Sequence, residues 1–388
     1  MTKTLFLDCE ATIHEKGNPF SIANKLCCVG LLLDGFYYYL DIEHSGLPYN
    51  RSLEFLASVL DQTELIVNHN IKYDLNWIRR YLPGWKPKKV WDTQLFEYIF
   101  SHQTWVMPSL DDCLKLQGFE GKTDDLASRY WDKGVDTTEI PANELFEYNM
   151  GDVYGVEKLY HNQVAKQRPE QSTLFTLHCE DLLVLEEMEH NGMAFNRAAC
   201  EAKAVETRKE YEAKKDDIIR LLELDRSYSD QYNLNSGDQL SAFLYGGSFP
   251  IRVREVVTKQ YKKGPKEVER WGEKQLCFPR LVDPLEGTEV KKGGYFFVNE
   301  DVLRSLRPKQ PKAKELISGI LTLAGLEKML SGYYEGLPKL LDRMQWPEGI
   351  LHGTFNQCVA RTGRSSCAQP NQQNFHGGMK DLFISRYV

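Results

Sequence analysis

The heptapeptide Thr4–Glu10, TLFLDCE, constrains this chain more than any other stretch. It is a short apolar run ending in two carboxylates two residues apart, and on a strand residues i and i+2 share a face. Asp8 and Glu10 therefore point one way and Cys9 the other. Two like charges held that close repel unless a cation lies between them. A hard divalent cation with oxygen ligands meets that demand. A strand running into a polar turn would show the same letters, so the carboxylates further along the chain must decide.

Strand signals follow at Cys27–Leu33 and Phe36–Asp41, with Asp34-Gly35 between them as a hairpin turn. Ser52–Leu60 has helical periodicity, Leu65–Val67 is a short apolar strand, and Asn70–Tyr81 is a helix stopped by Pro83-Gly84. Val90-Trp91 and Asp92–Phe100 repeat the strand-then-helix order, and Leu110–Gln117 and Ala142–Gln167 are further helices. This order gives an α/β domain over residues 1–168. Pro169 opens a helical regime: Glu170–His190, Asn196–Leu224, Ser236–Tyr245, and a pair over Lys312–Asp342 broken near Gly325. Residues 249–298 read as irregular, with basic clusters at Lys262-Lys263 and Lys291-Lys292. Gly349–Val388 has strand-like ends around a polar, turn-rich middle.

At 388 residues, two or three cores are expected, since a domain takes roughly 100–200 residues. No apolar run approaches the ~18 residues of a membrane span. The chain enters the Asp8 strand at once, leaving no room for a signal peptide. Nine scattered cysteines include no C-x-x-C, and nine histidines no H-x-x-x-H, which argues against a zinc site and a disulfide framework and fits a reducing cytoplasm. Residues 1–165 carry 15 Lys+Arg against 24 Asp+Glu, whereas 252–314 carry 16 against 9. That asymmetry suits metal chemistry in front and a grip on a polyanion behind.

Two more carboxylates complete the first pair. Asn68–Asn76, NHNIKYDLN, places Asp74 in the opening turns of a helix. Glu147–Asp152, EYNMGD, places Tyr148 and Asp152 on one helix face, four residues apart. Two-metal phosphoryl hydrolysis wants about four carboxylates around ions roughly 3.5–4 Å apart, with a group that orients the attacking water. Asp8, Glu10, Asp74 and Asp152 supply the ligands, and the Tyr148 hydroxyl the orienting group. In this order they resemble the DEDD exonuclease superfamily: D-x-E on a strand, an Asp four residues after an Asn (Asn70, Asp74), then Y-x-x-x-D. Glu147 stands where a sister subclass has His, which indicates the tyrosine subclass. Asp92, in WDTQL, is expected to cap a helix rather than bind metal.

The segment Gly349–Phe375, with T-G-R-S-S followed by P-N-x-Q-N, resembles the first palm motif of family A DNA polymerases of the Klenow-fragment type. By that resemblance Arg364, Asn371 and Gln373 lie in the minor groove of a primer–template, and Arg361 adds a phosphate contact. Tyr232–Leu244, Tyr295–Leu303 and Leu326–Leu341 resemble the thumb of the same family. The resemblance weakens over 247–292, and two departures stand inside the palm motif. Ser365-Ser366-Cys367 replaces the usual Leu-Ser-Ser, and Phe375-His376 the usual Ile-Pro.

The resemblance implies an α/β exonuclease domain over 1–168 with a mixed, ribonuclease H-like sheet flanked by helices. A mainly helical thumb over 169–348 and the start of an α+β palm over 349–388 follow it. It implies a proofreading 3′–5′ exonuclease using two Mg²⁺ or Mn²⁺ ions, a DNA primer–template with a single-stranded 3′ end as partner, and no membrane. The palm aspartates and the fingers of polymerisation are not among these residues, so they are expected either on a second polymerase chain, the favoured alternative, or on a C-terminal half missing from this sequence. A viral source, with host cytoplasm as location, is expected as well. Two rival readings are a stand-alone DEDD-type exonuclease that trims RNA, with 169–388 as a nucleic-acid-binding module, and a non-catalytic DNA-gripping subunit.

Overall fold

Strand β1 (Thr4–Ala11) pairs antiparallel with β2 (Leu26–Leu33), which turns through Asp34-Gly35 into β3 (Phe36–Asp41). Both turn residues have positive φ, 51° and 82°, as a two-residue hairpin requires. In the computed structural model, which describes residues 3–121, 126–261, 264–290, 293–347 and 349–385, β4 (Leu65–Asn68) and β5 (Val90–Asp92) add in parallel beyond β1. The mixed sheet runs β3-β2-β1-β4-β5. Helices α1 (Asn50–Gln62), α2 (Lys72–Tyr81) and α3 (Thr93–Phe100) follow β3, β4 and β5 in turn. Helix α4 (Leu110–Leu116) and the short α5 (Leu126–Arg129) lead to the long α6 (Ala142–Lys166).

Alternation along β1 divides its side chains between two cores. Leu5, Leu7 and Cys9 pack in one core with Leu75 and Ile78 of α2, while Phe6 packs with Val153, Val156 and Leu159 of α6. Asp8 and Glu10 continue the Phe6 row, on the side of the sheet that α6 covers. The strand runs on to Ala11, so both carboxylates stand on strand backbone.

Helix α7 (Pro169–Asn191) starts with Pro at its first turn, where the missing N–H costs nothing. Strand β6 (Met193–Ala194), α8 (Arg197–Leu221) and α9 (Gly237–Tyr245) follow, then β7 (Gly247–Tyr261) and β8 (Gly264–Phe278). The rest comprises α10 (Glu300–Ser305), α11 (Pro311–Met329), α12 (Gly336–Met344), β9 (Ile350–Leu351), β10 (Thr354–Asn356) and β11 (Ser366–Ala368). The chain forms two compact units, 1–197 with 339–388, and 198–338. In the first, β9 pairs with β6 and β10 with β11, and α7 packs on α2 and α3. In the second, α9, α11 and the root of the β7–β8 ribbon share one core around Phe243, Phe249 and Leu316.

Two expectations fail in the second unit. Residues 249–278 are not irregular: β7 and β8 form a regular antiparallel ribbon from Gly247↔Phe278 to Tyr261↔Gly264. Only Phe249, Ile251 and Val253 of β7 are buried, so the period-two signal fades into an exposed, charged arm. Both strands are edges, which is why Pro250 and Pro265 are tolerated. The helical break expected near Gly325 falls instead at a π-turn, Leu330–Tyr334, since α11 runs through Gly325. Lys262-Lys263 and Lys291-Lys292 lie outside the described residues, as do the last three residues of the chain. Among the described residues no helix is long and apolar enough to cross a membrane.

Candidate active site

Helix α6 crosses the sheet so that Asp152 reaches the row that begins at Phe6. Asp8, Glu10 and Asp152 each offer a carboxylate oxygen, and these atoms lie within 4.8 Å of one another. Asp152 is buried and Asp8 and Glu10 are half-buried; Asp8 and Asp152 line a cleft of about 700 Å³. Tyr148, one turn before Asp152, lines the same cleft, its ring edge-on to Trp131 at 5.4 Å. Glu147 beside it is exposed.

Asp74 is placed differently. It sits in the first turn of α2, 3% exposed, with Oδ1 accepting from the Cys9 N–H at 2.9 Å and Oδ2 from Asn68 Nδ2 at 2.8 Å. It stands behind the three-carboxylate cluster as a buried neighbour of Asp8. Burial above all, then the charge of Asp8, pushes its carboxyl well above the usual range, against the pull of the Cys9 and Asn68 donors. The Asn70 that precedes it has φ 58°, a left-handed bend that Asn tolerates, and its N–H reaches Asp92 at 3.3 Å. Asp92 is the N-cap of α3, accepting from Gln94 N and Leu95 N, and it also receives Ile71 N at 2.9 Å. The cap role expected for it holds.

Two asparagines that sequence reasoning passed over orient Asp8. Asn149, fully buried, donates from Nδ2 to Asp8 Oδ2 at 2.9 Å and accepts from the Tyr37 hydroxyl at 2.8 Å. Room for it comes from Gly30, the β2 partner of Asp8: a Cβ there would lie 1.7 Å from Asn149 Oδ1. Asn68 Nδ2 lies 3.5 Å from Asp8 Oδ1, and Asn68 Oδ1 is buried without a hydrogen-bond partner. Position 149 sits inside EYNMGD, so its signal was a polar residue on the buried side of an already marked helix turn. An all-oxygen donor set with an orphaned acceptor nearby fits a hard divalent cation.

Arg361, Arg364, Asn371 and Gln373 are all exposed, on the loop that surrounds β11. Gln373 Nε2 donates to Ser365 Oγ at 3.2 Å, and Asn371 Oδ1 accepts from Gln373 N at 3.2 Å. The loop thus brings Gln373 beside the residue that follows Arg364.

Comparison with known proteins follows this geometry. Residues 7–164 match the 3′–5′ exonuclease family and residues 273–382 match DNA polymerase family A. DNA polymerase I of Chloroflexus aurantiacus is 32% identical over 134 residues, 33% of this chain and 14% of that protein. The thermostable DNA polymerase I of Thermus thermophilus is 27% identical over 221 residues, 56% of this chain and 21% of that protein. The chain therefore spans a minor part of these relatives' length. In fold it is similar to the POL domain of Pol1 from M. smegmatis, solved with DNA primer–template and dNTP. The TM-score there is 0.61 at 17% identity, covering 96% of this chain and 52% of that one. The chain thus carries a 3′–5′ exonuclease region over residues 7–164, followed by a stretch of a family A DNA polymerase region over residues 273–382.

Proposed function

We propose that residues 1–168 are a metal-dependent 3′–5′ exodeoxyribonuclease that trims a single-stranded primer end. In this reading 169–348 are a polymerase thumb region and 349–388 a first palm segment, which together grip the duplex. The observation that carries the reading is the approach of Asp8, Glu10 and Asp152 within 4.8 Å, with Asp8 and Asp152 on the wall of an open cleft. When bound, two divalent cations, Mg²⁺ or Mn²⁺, supply an activated water and offset charge on the leaving 3′ oxygen. Asp8, Glu10 and Asp152 hold them, and Asn149 keeps Asp8 turned to the cleft. Asp74 backs the site through Cys9 N and Asn68. The Tyr148 hydroxyl orients the water. A frayed or mismatched end is preferred because a strand must leave the duplex to enter the cleft, and unpairing costs least there.

Arg364, Asn371 and Gln373 read the minor groove without sequence preference, and Arg361 holds a phosphate. Nine free cysteines support a reducing, cytoplasmic setting. The second polymerase chain belongs to this proposal too: isolation of the native particle without any palm-and-fingers polypeptide overturns that part alone. The main test is a 5′-labelled primer–template with a mismatched 3′ end, incubated with Mg²⁺ and resolved on a gel. Stepwise shortening from the 3′ end is expected. A primer of unchanged length, or RNA ends trimmed in preference to DNA, refutes the reading.

A further inference from the structure

Helix α2, which carries Asp74, faces α7 through buried charges. Lys72, Asn76 and Arg79 lie along one side of α2, and Glu186 and Glu189 along one side of α7. Arg79 Nη1 donates to both oxygens of Glu186, at 3.0 and 2.8 Å, and to Glu187 at 3.0 Å. Glu189 accepts from Lys72 Nζ and from Asn76 Nδ2, the latter at 3.2 Å. Lys72 is 9% exposed and Arg79, Glu186 and Glu189 are 3%, 2% and 4% exposed.

The same two residues also hold β10. Glu189 accepts from the Phe355 N–H, and Lys72 donates to the Phe355 carbonyl. Phe355 pairs with Cys367 of β11, three residues past Arg364. Two further bonds tie this segment to α3 and the loop after it: Met107 N donates to the Cys358 carbonyl at 3.0 Å, and the Tyr98 hydroxyl to the Ala360 carbonyl at 2.8 Å. Met107 lines the cleft. An apolar pair could fill the place of a buried ion pair with no loss of stability. What the ions add is register, because Glu189 Oε1 meets both the Lys72 ammonium and the Phe355 N–H while the ammonium also meets the Phe355 carbonyl.

We infer that Glu189 and Lys72 are positioning residues for the exonuclease reaction, fixing α2 and hence Asp74 against the segment that leads into the Arg364 loop. The inference rests on the exonuclease reading of the cleft. Exonuclease activity is then tied to the placement of β10, and a disturbance of β10 moves Asp74 before it moves the substrate-binding walls.

The test compares three full-length variants with the unaltered chain. Glu189→Gln keeps the shape and removes the charge. The Lys72→Met/Glu189→Met pair fills the same space without ions. Asp8→Ala is the control on the reading itself. Mn²⁺ binding to the DNA-free protein is measured by calorimetry, and kcat and KM on a single-stranded oligodeoxynucleotide by steady-state kinetics. Glu189→Gln is expected to lower Mn²⁺ affinity and kcat by up to roughly 10-fold, the low end of what losing a direct partner of a metal ligand costs, with KM unchanged. The apolar pair is expected to melt with the unaltered chain and show the same losses. An apolar pair with full Mn²⁺ affinity and full kcat shows that the ions only pack the interface, and overturns the inference. If that pair does not fold, Glu189→Gln alone decides, since its side chain is isosteric. Cleavage undiminished in Asp8→Ala refutes the exonuclease reading, whereas cleavage lost there but intact in Glu189→Gln refutes this inference alone.

Discussion

The carboxylate cleft and the loop that carries Arg361, Arg364, Asn371 and Gln373 both bear clear motifs, yet their side chains are supported in opposite ways. At the cleft, Asp8 is held by Asn149 and Asp74 by Cys9 N and Asn68, all of them buried or nearly so. On the loop, the four candidate contacts are exposed, and the two bonds described above join loop residues to one another. The first arrangement orders its groups before substrate arrives, as a reaction that depends on ion placement requires. The second leaves long side chains in water, ready to follow the phosphates and groove edges of whatever duplex comes.

Removing Asp8 should produce the largest effect on one side of this contrast and none on the other. Asp8→Ala is expected to cut 3′-end release by more than the ~100-fold that loss of an outer partner of a metal ligand costs. Duplex binding, followed by fluorescence anisotropy, is expected to stay the same. A variant that loses both would mean that cleft and loop are one site. Next in size is Gly30→Ala, which touches no substrate. Its methyl would lie 1.7 Å from Asn149 Oδ1, so Asn149 must leave Asp8. Single-turnover cleavage should fall roughly 10–100-fold, and thermal melting should fall too, because the methyl enters a filled core. A wild-type rate would show that Asp8 needs no partner.

Arg361→Ala, which removes the proposed phosphate contact, tests the loop side. Loss of one exposed cation should weaken duplex binding alike on all sequences and reduce the slope of log K against log salt by about one. Cleavage of a short single strand should not change. A sequence-dependent loss, or a steep fall in melting temperature, would mean that the loop is preorganised after all.

How far each region was legible follows from what fixes it. The strand and helix order of the first sheet was readable because half-buried strands and amphipathic helices write their burial into the sequence as periods of 2 and 3.6. Asp8, Glu10 and Asp152 were legible as a cluster because β1 and α6 are regular elements with fixed side-chain directions. The hydrogen bonds of Asp74 were not legible, since one comes from the backbone N–H of Cys9 on β1 and the other from the Asn68 side chain, which no periodic pattern marks. Asn149 and Gly30 form a lock across two elements, visible only when β2 and α6 are in contact. The β7–β8 ribbon was missed for the opposite reason. Beyond Val253 both of its faces are largely in water, and a strand with nothing to bury leaves no alternation to read.

The smallest expected effect is on stability, and it uses the buried state of Asp74. Its carboxyl titrates well above the ordinary range in the folded chain, chiefly through burial. The folded state therefore binds this proton more tightly than the unfolded state does. Stability from this group is full below the unfolded-state value and is lost as pH rises toward the elevated folded one. Asp74→Asn has no such proton to lose. Asn68 can turn its orphaned Oδ1 to accept from the new amide. In metal-free buffer the variant should melt a few degrees above the unaltered chain at neutral pH, and the gap should close as pH falls into the ordinary carboxylate range. Added Mg²⁺ should narrow or reverse the gap, because a cation held by the three carboxylates both chains share also favours an ionised Asp74 beside Asp8. Equal melting at every pH would place Asp74 in a wetter setting than the cleft geometry gives it. The cleft would then be closer in kind to the exposed loop, and the contrast between the two regions would narrow to the Asp8, Glu10 and Asp152 cluster.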